Sequence, residues 1–154
     1  MGITFQLFAV SPAVLDRFIA DSQEAEQFIQ DRYCEDIAGE SLWLDKSGMG
    51  IMEAFGVHLG EGDPPAAWIF GDGEMSVGEI DAEFAEPCAF LTPEQVADVA
   101  RWISGISDAQ FTAMAAPNEM DADVDYLAHF FGRLRDFYQE AASSGKATFT
   151  YIGI

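Results

Sequence analysis

The side chains best suited to chemistry in this chain are few: two histidines, His58 and His129, and two cysteines, Cys34 and Cys88. Nucleophilic catalysis needs a nucleophile, a base and an orienting group that converge in space. His58 stands between Val57 and Leu59, just ahead of the loop-forming Gly60-Glu61-Gly62-Asp63-Pro64-Pro65, and is the better placed to act as an acid or base. His129 falls beside the apolar stripe of a helical pattern and reads as packed at its edge. No GxSxG, HExxH or phosphate-binding loop occurs. The cysteines are far apart and form no CxxC, so neither a disulfide framework nor a zinc signature is present, and both read as small core residues.

Carboxylates are the other candidates. Asp121, Asp123 and Asp125 alternate with Ala122 and Val124, so an extended segment would put all three on one side, where they could hold a hard cation such as Ca²⁺. The glycine and terminal glutamate of an EF-hand are missing, and helix capping with a favourable dipole charge is the plainer account. Gly60, Gly62, Gly71 and Gly73 bring phosphate cradles to mind, but Glu61, Asp63, Asp72 and Glu74 around them would repel an anion. No metal site and no cofactor is therefore expected, and the chain reads as a binding protein rather than an enzyme. Lys46, beside Asp45, is an isolated base in a long acidic region, which suggests either a pocket shared with His58 or a local salt bridge. Trp43, Trp68 and Trp102 suit either the core or the anchoring of a partner.

The charge balance narrows the partners. The 154 residues carry 27 acidic against 7 basic side chains, a formal net charge of -20, and no Lys or Arg lies between Lys46 and Arg101. Nucleic acid and anionic membranes are bound through basic residues, so direct binding to either is not expected. A basic protein would be steered toward such a surface. An acidic face built by the middle of the chain, and an evenly solvated acidic surface, both account for the pattern. No apolar run reaches the ~18 residues a membrane span requires. The first residues show no basic segment leading into an apolar stretch, so the expected compartment is the cytoplasm.

The elements that must position these residues are marked by local signals. With an apolar share of 49%, a chain of this length can bury a core as one domain over 1–154. Ile3–Val10 reads as a strand buried on both faces. Ser11-Pro12 opens a helix, with Val14, Leu15, Phe18 and Ile19 as its stripe, and Ser22 is expected to cap a second one lined by Ala25, Phe28 and Ile29. Asp45 could cap the segment after it, and Ile51, Met52 and Phe55 could line a helix after Gly50. Ala66–Phe70 is an apolar run that periodicity leaves unassigned. Thr92-Pro93-Glu94-Gln95 is a capping box ahead of a helix with Val96, Val99, Ala100 and Ile103 inward, ending at Gly105. Ser107-Asp108-Ala109-Gln110 repeats the pattern. Asp121 or Asp123 opens the longest helix, striped by Leu127, Phe130, Phe131, Leu134, Phe137, Tyr138 and Ala141, and Ser143-Ser144-Gly145 ends it. Ala147–Ile152 is a closing strand. The class is α+β, with the N- and C-terminal strands in one mixed β-sheet packed against several helices.

The order of these signals resembles the YfbM-like family of small bacterial proteins, a domain of unknown function. The likeness is carried by Leu44-Asp45-Lys46-Ser47, by Phe90-Leu91-Thr92-Pro93-Glu94-Gln95-Val96, and by Leu134-Arg135-Asp136-Phe137-Tyr138 leading through Ala141-Ala142 and Gly145 to Phe149–Ile152. It covers essentially the whole chain. The resemblance implies an α+β fold and no assigned activity. Family members often carry an aromatic, a leucine and a histidine after the Leu-Asp-Lys stretch, and a Gly-Pro-Ala-Arg-like segment before Leu-Thr-Pro. Here those stretches are Gly48-Met49-Gly50-Ile51-Met52 and Glu86-Pro87-Cys88-Ala89, so any site the family shares through them is incomplete in this chain.

The expected function is a non-catalytic protein-interaction module, of which an immunity- or inhibitor-like protein is one form, using an acidic face against a basic partner. The alternative is a small-molecule pocket near Asp45, Lys46 and His58. A third expectation is self-association through an exposed terminal strand, with the oligomeric state left open. The candidate binding residues are Asp45, Lys46, His58, Glu61, Asp63, Asp72 and Glu74.

Overall fold

The computed structural model describes residues 2–58, 61–78, 88–117 and 122–153. Leu59, Gly60, Glu86, Pro87 and Asp121, which enter the sequence patterns above, lie outside them.

Strand β1 (Thr4–Val10) is followed by helices α1 (Pro12–Ala20) and α2 (Ser22–Arg32), strand β2 (Ser41–Trp43), helix α3 (Ser47–Ala54) and a 3₁₀ turn at Ala66–Trp68. Strands β3 (Gly73–Met75) and β4 (Cys88–Leu91), helices α4 (Pro93–Ser104), α5 (Asp108–Ala115) and α6 (Val124–Ser143), and strand β5 (Ala147–Gly153) complete the order. The strands form a 5-stranded sheet in the order β2-β1-β5-β4-β3. The α+β class and the presence of both terminal strands in one sheet are as expected, but every pairing is antiparallel, so strand direction is not mixed.

The sheet is covered on both faces, which explains why β1 carries apolar residues on both. Phe5, Leu7 and Ala9 enter the larger core under α3, α4, α5 and α6. Phe8 and Val10 enter the smaller one with Leu15, Phe18, Ala25 and Ile29 of α1 and α2. Phe8 stacks on Phe149 of β5 with ring centroids 4.9 Å apart. Burying each such side chain contributes about 1.5–3 kcal/mol. Of the two polar residues of β1, Thr4 and Gln6, the second is fully buried and satisfied: its amide donates to the carbonyls of Arg32 at 2.8 Å and Glu35 at 3.2 Å, and accepts from the Cys34 N–H at 3.0 Å.

Local signals mark most helix ends. Ser11 caps α1 with Pro12 in its first turn, and Thr92 and Ser107 form the two complete capping boxes of α4 and α5. At α2 the cap is Asp21 rather than Ser22: its carboxylate accepts from the Gln23 and Glu24 N–H groups, and Ser22 is the first helical residue. Helix α3 starts at Ser47, earlier than expected, with Lys46 at the N-cap and no side-chain cap. Glycine explains the early start. A Cβ at Gly48 would come within 2.3 Å of the Phe5 ring, and one at Gly50 within 2.7 Å of Leu127, so these two positions let α3 lie directly on β1 and α6.

Neither terminal strand is an edge. β1 lies between β2 and β5, and β5 between β1 and β4. Edge strand β2 is itself tied down, because the Trp43 N–H donates to the Asp36 carboxylate at 2.7 Å. Self-pairing of an exposed terminal strand therefore has no template in this sheet.

Candidate functional site

The sequence-derived candidates fall into separate places. Asp45 is half-buried and sits at φ 50°, a left-handed conformation that Asp tolerates better than most residues. Its carboxylate faces α6 instead of capping α3, and accepts from the Tyr126 hydroxyl at 2.8 Å. The same hydroxyl accepts from the Lys46 N–H at 3.3 Å. Burial, and then the bond to Asp45, push the Tyr126 phenol up from its ordinary value.

Lys46 precedes α3 and His58 comes after it. The 8-residue helix between them is roughly 12 Å long. His58 is instead coupled to Glu61: each backbone N–H donates to the other's carbonyl, at 3.1 and 2.8 Å, and both residues are exposed. Asp72 accepts from the Gln95 amide at 3.0 Å, and Glu74 is exposed on edge strand β3. Asp123 caps α6 and Asp125 lies in its first turn. His129 is exposed. Among the described residues no group of three or more His, Cys, Asp or Glu could hold a metal ion, and no helix is long and apolar enough to cross a membrane.

Two of the three tryptophans do come together. Trp68 and Trp102 line an open groove of about 450 Å³ with Pro64, Pro65, Asp98 and Arg101. One wall is the segment that carries the 3₁₀ turn. It is closed on itself by the Ala67 N–H donating to the Asp63 carbonyl at 3.0 Å and the Gly71 N–H to the Trp68 carbonyl at 2.8 Å. It is anchored inward where the buried Tyr138 hydroxyl of α6 donates to the Ile69 carbonyl, and where Phe70 meets Phe5 at 4.7 Å between centroids. Burial raises the Tyr138 phenol well above its ordinary value, so it stays a donor.

The other wall is α4. Its capping box fixes where the helix begins, and Gln95 joins that box to Asp72 across the sheet end. With Val96, Val99, Ala100 and Ile103 turned into the core, Asp98 and Arg101 must face outward, and Trp102 lies between the two faces. Trp102 rests against Phe55 at 4.9 Å. Asp98 and Arg101 form an exposed ion pair at 3.1 Å on the groove rim. Trp43, by contrast, packs on Tyr33 at the far edge of the sheet.

A second recess, of about 340 Å³, runs between α1 and α2. Its Phe28 ring is already covered by the Arg32 guanidinium at 3.9 Å, and Arg17 pairs there with Glu24 at 3.1 Å. Its aromatic face and its charges are thus matched within the chain.

The molecule is therefore an antiparallel α+β domain with helices on both faces and a tryptophan-lined surface groove. The chain belongs to the family described as a domain of unknown function (DUF1877), whose model matches residues 1–151. It is similar to the crystal structure of YfbM from Escherichia coli, a protein of unknown function, with a TM-score of 0.61 at 10% identity over 97% of this chain and 99% of that one. At that identity the likeness concerns the fold alone. No curated protein matches the sequence.

Proposed function

We propose that the protein is a non-catalytic interaction module, immunity- or inhibitor-like in kind, that binds a basic protein through an acidic face. The observation that carries this is the excess of 27 acids over 7 bases, together with how the bases are used. Among the described residues Arg17, Arg101, Arg133 and Arg135 each pair with a carboxylate of the same chain, at 2.8–3.1 Å. The Lys146 ammonium donates to the Gly39 carbonyl at 2.8 Å. Little positive charge is left to screen the acids. Glu61, Asp63, Asp72, Glu74, Glu94 and Asp98 all belong to the stretch without Lys or Arg, and all six are exposed. A field of one sign raises the rate at which an oppositely charged partner is met.

The alternative small-molecule pocket around Asp45, Lys46 and His58 has less support, because the Asp45 carboxylate is engaged by Tyr126.

The test is to immobilise the protein, load extract of the native cell at low salt, elute with a salt gradient, and then measure the affinity of the purified captured protein. A single basic protein whose affinity falls at least about tenfold between roughly 0.05 and 0.3 M salt is the expected result. Tight binding indifferent to salt, or a captured protein of acidic character, would overturn the proposal.

A further inference from the structure

We infer that the groove between Pro64–Trp68 and α4 receives an extended, arginine- or lysine-bearing segment of the basic partner. The cationic side chain lies on Trp68 and Trp102 and pairs with Asp98. The inference rests on the acidic-face reading and names the place on the surface where the partner is held.

Shape and chemistry agree on this occupant. The floor is apolar and aromatic, and tryptophan is the ring that binds a cation best. Trp68 and Trp102 are only half-buried, so part of each ring is available, and both are held from behind by the main core. Half-buried tryptophans on a rigid backing are the usual anchors of a protein interface. The groove itself is lined by one acid, Asp98, and one base, Arg101; beyond the lining, the exposed Asp63 adjoins Pro64 in the chain, and the exposed Glu94 shares a face of α4 with Asp98 at a spacing of four.

Arg101 shows how the cation is accommodated. Its guanidinium already sits at the groove on Asp98, with side-chain exposures of 76% and 50% for the pair. A pair so exposed is weak and readily exchanged. An incoming Arg or Lys takes over Asp98 and leaves Arg101 to solvent. In the recess between α1 and α2 the Arg17–Glu24 pair is comparably exposed, but Arg32 already covers the Phe28 ring, so that aromatic face is taken by a cation of the chain itself.

The test uses the full chain and a fluorescein-labelled hexa-arginine peptide, with affinity read by fluorescence anisotropy at low salt. Asp98→Asn is compared with Glu40→Gln, and Arg101→Gln with Arg17→Gln. Each pair changes net charge equally, and all four side chains are exposed. The expected result is about a fivefold or greater loss for Asp98→Asn against less than about twofold for Glu40→Gln, and about a threefold gain for Arg101→Gln that Arg17→Gln does not reproduce. Trp68→Ala should lose about tenfold. Equal effects within each matched pair would overturn the groove while leaving the acidic-face reading intact. No binding of hexa-arginine by the unmodified chain would overturn both.

Discussion

The Tyr126 hydroxyl donates to the Asp45 carboxylate at 2.8 Å, joining the start of the longest helix to the loop that leads into α3. With the Lys46 N–H donating back to the same hydroxyl, a single phenol holds a turn whose backbone is left-handed at Asp45. Tyr126→Phe removes both bonds without changing the ring. It should lower stability by about 1–2 kcal/mol, measured by urea denaturation at neutral pH. Asp45→Asn, which keeps an acceptor and tolerates the left-handed conformation, should lose less than Asp45→Ala. Equal losses for Asn and Ala would show that the turn is held by other contacts.

Gly48 offers a test in which helix propensity and packing oppose each other. Alanine is the better helix former by about 1 kcal/mol. A Cβ at this position, however, would meet the Phe5 ring at 2.3 Å, and Phe5 is fully buried. Overpacking a core costs about 1–3 kcal/mol and occasionally more. Gly48→Ala should therefore destabilise the protein. A rise in its thermal midpoint would mean that α3 can move away from β1.

Tyr138 supports the groove from beneath. Removing its hydroxyl in Tyr138→Phe leaves the buried Ile69 carbonyl without that donor, at a cost of about 1–3 kcal/mol. Amide hydrogen exchange should locate the effect in the turn that carries Trp68, at the Ile69 and Gly71 N–H groups. Loss of protection spread evenly over the chain would indicate a global rather than a local role.

Burial pushes the Cys88 thiol from its ordinary 9.0 up to about 12. In the unfolded chain the thiol releases its proton near pH 9, while in the folded protein it holds it. The folded state therefore binds more protons across this window, and stability falls as pH rises through it. The contribution is fully present below pH 9, and the loss by pH 12 is on the order of 4 kcal/mol. Urea midpoints measured from pH 8 upward should decline, and Cys88→Ala should decline less steeply even though it is less stable at neutral pH. Parallel declines would place the alkaline sensitivity elsewhere, Tyr126 and Tyr138 being the phenols raised in the same direction.

Much of the architecture is written in short-range signals. Ser11-Pro12, the Thr92–Gln95 and Ser107–Gln110 boxes and the cap at Asp123 each satisfy orphan N–H groups within a few residues, so their outcome depends little on the rest of the chain. The choice of Asp21 over Ser22 shows the limit: adjacent residues can both cap, and a shift of one position separates the outcomes. Strands β1 and β5, 7 residues each and buried along most of their length, are also legible. Strands β3 and β4, with 3 and 4 residues, are too short to show alternation and exist because β5 pairs with β4 and β4 with β3.

The candidate site divides in the same way. From the sequence alone come the net charge, the stretch without Lys or Arg, the capped helices and the tryptophans as possible anchors, because these depend on composition or on neighbours along the chain. Only the tertiary structure turns Asp45 toward Tyr126 and brings Trp68 and Trp102 into the lining of one groove. Those outcomes depend on which faces are buried together and on where a missing Cβ lets a helix approach. Contacts of that kind are set by packing between residues remote in the chain, and no local pattern contains them.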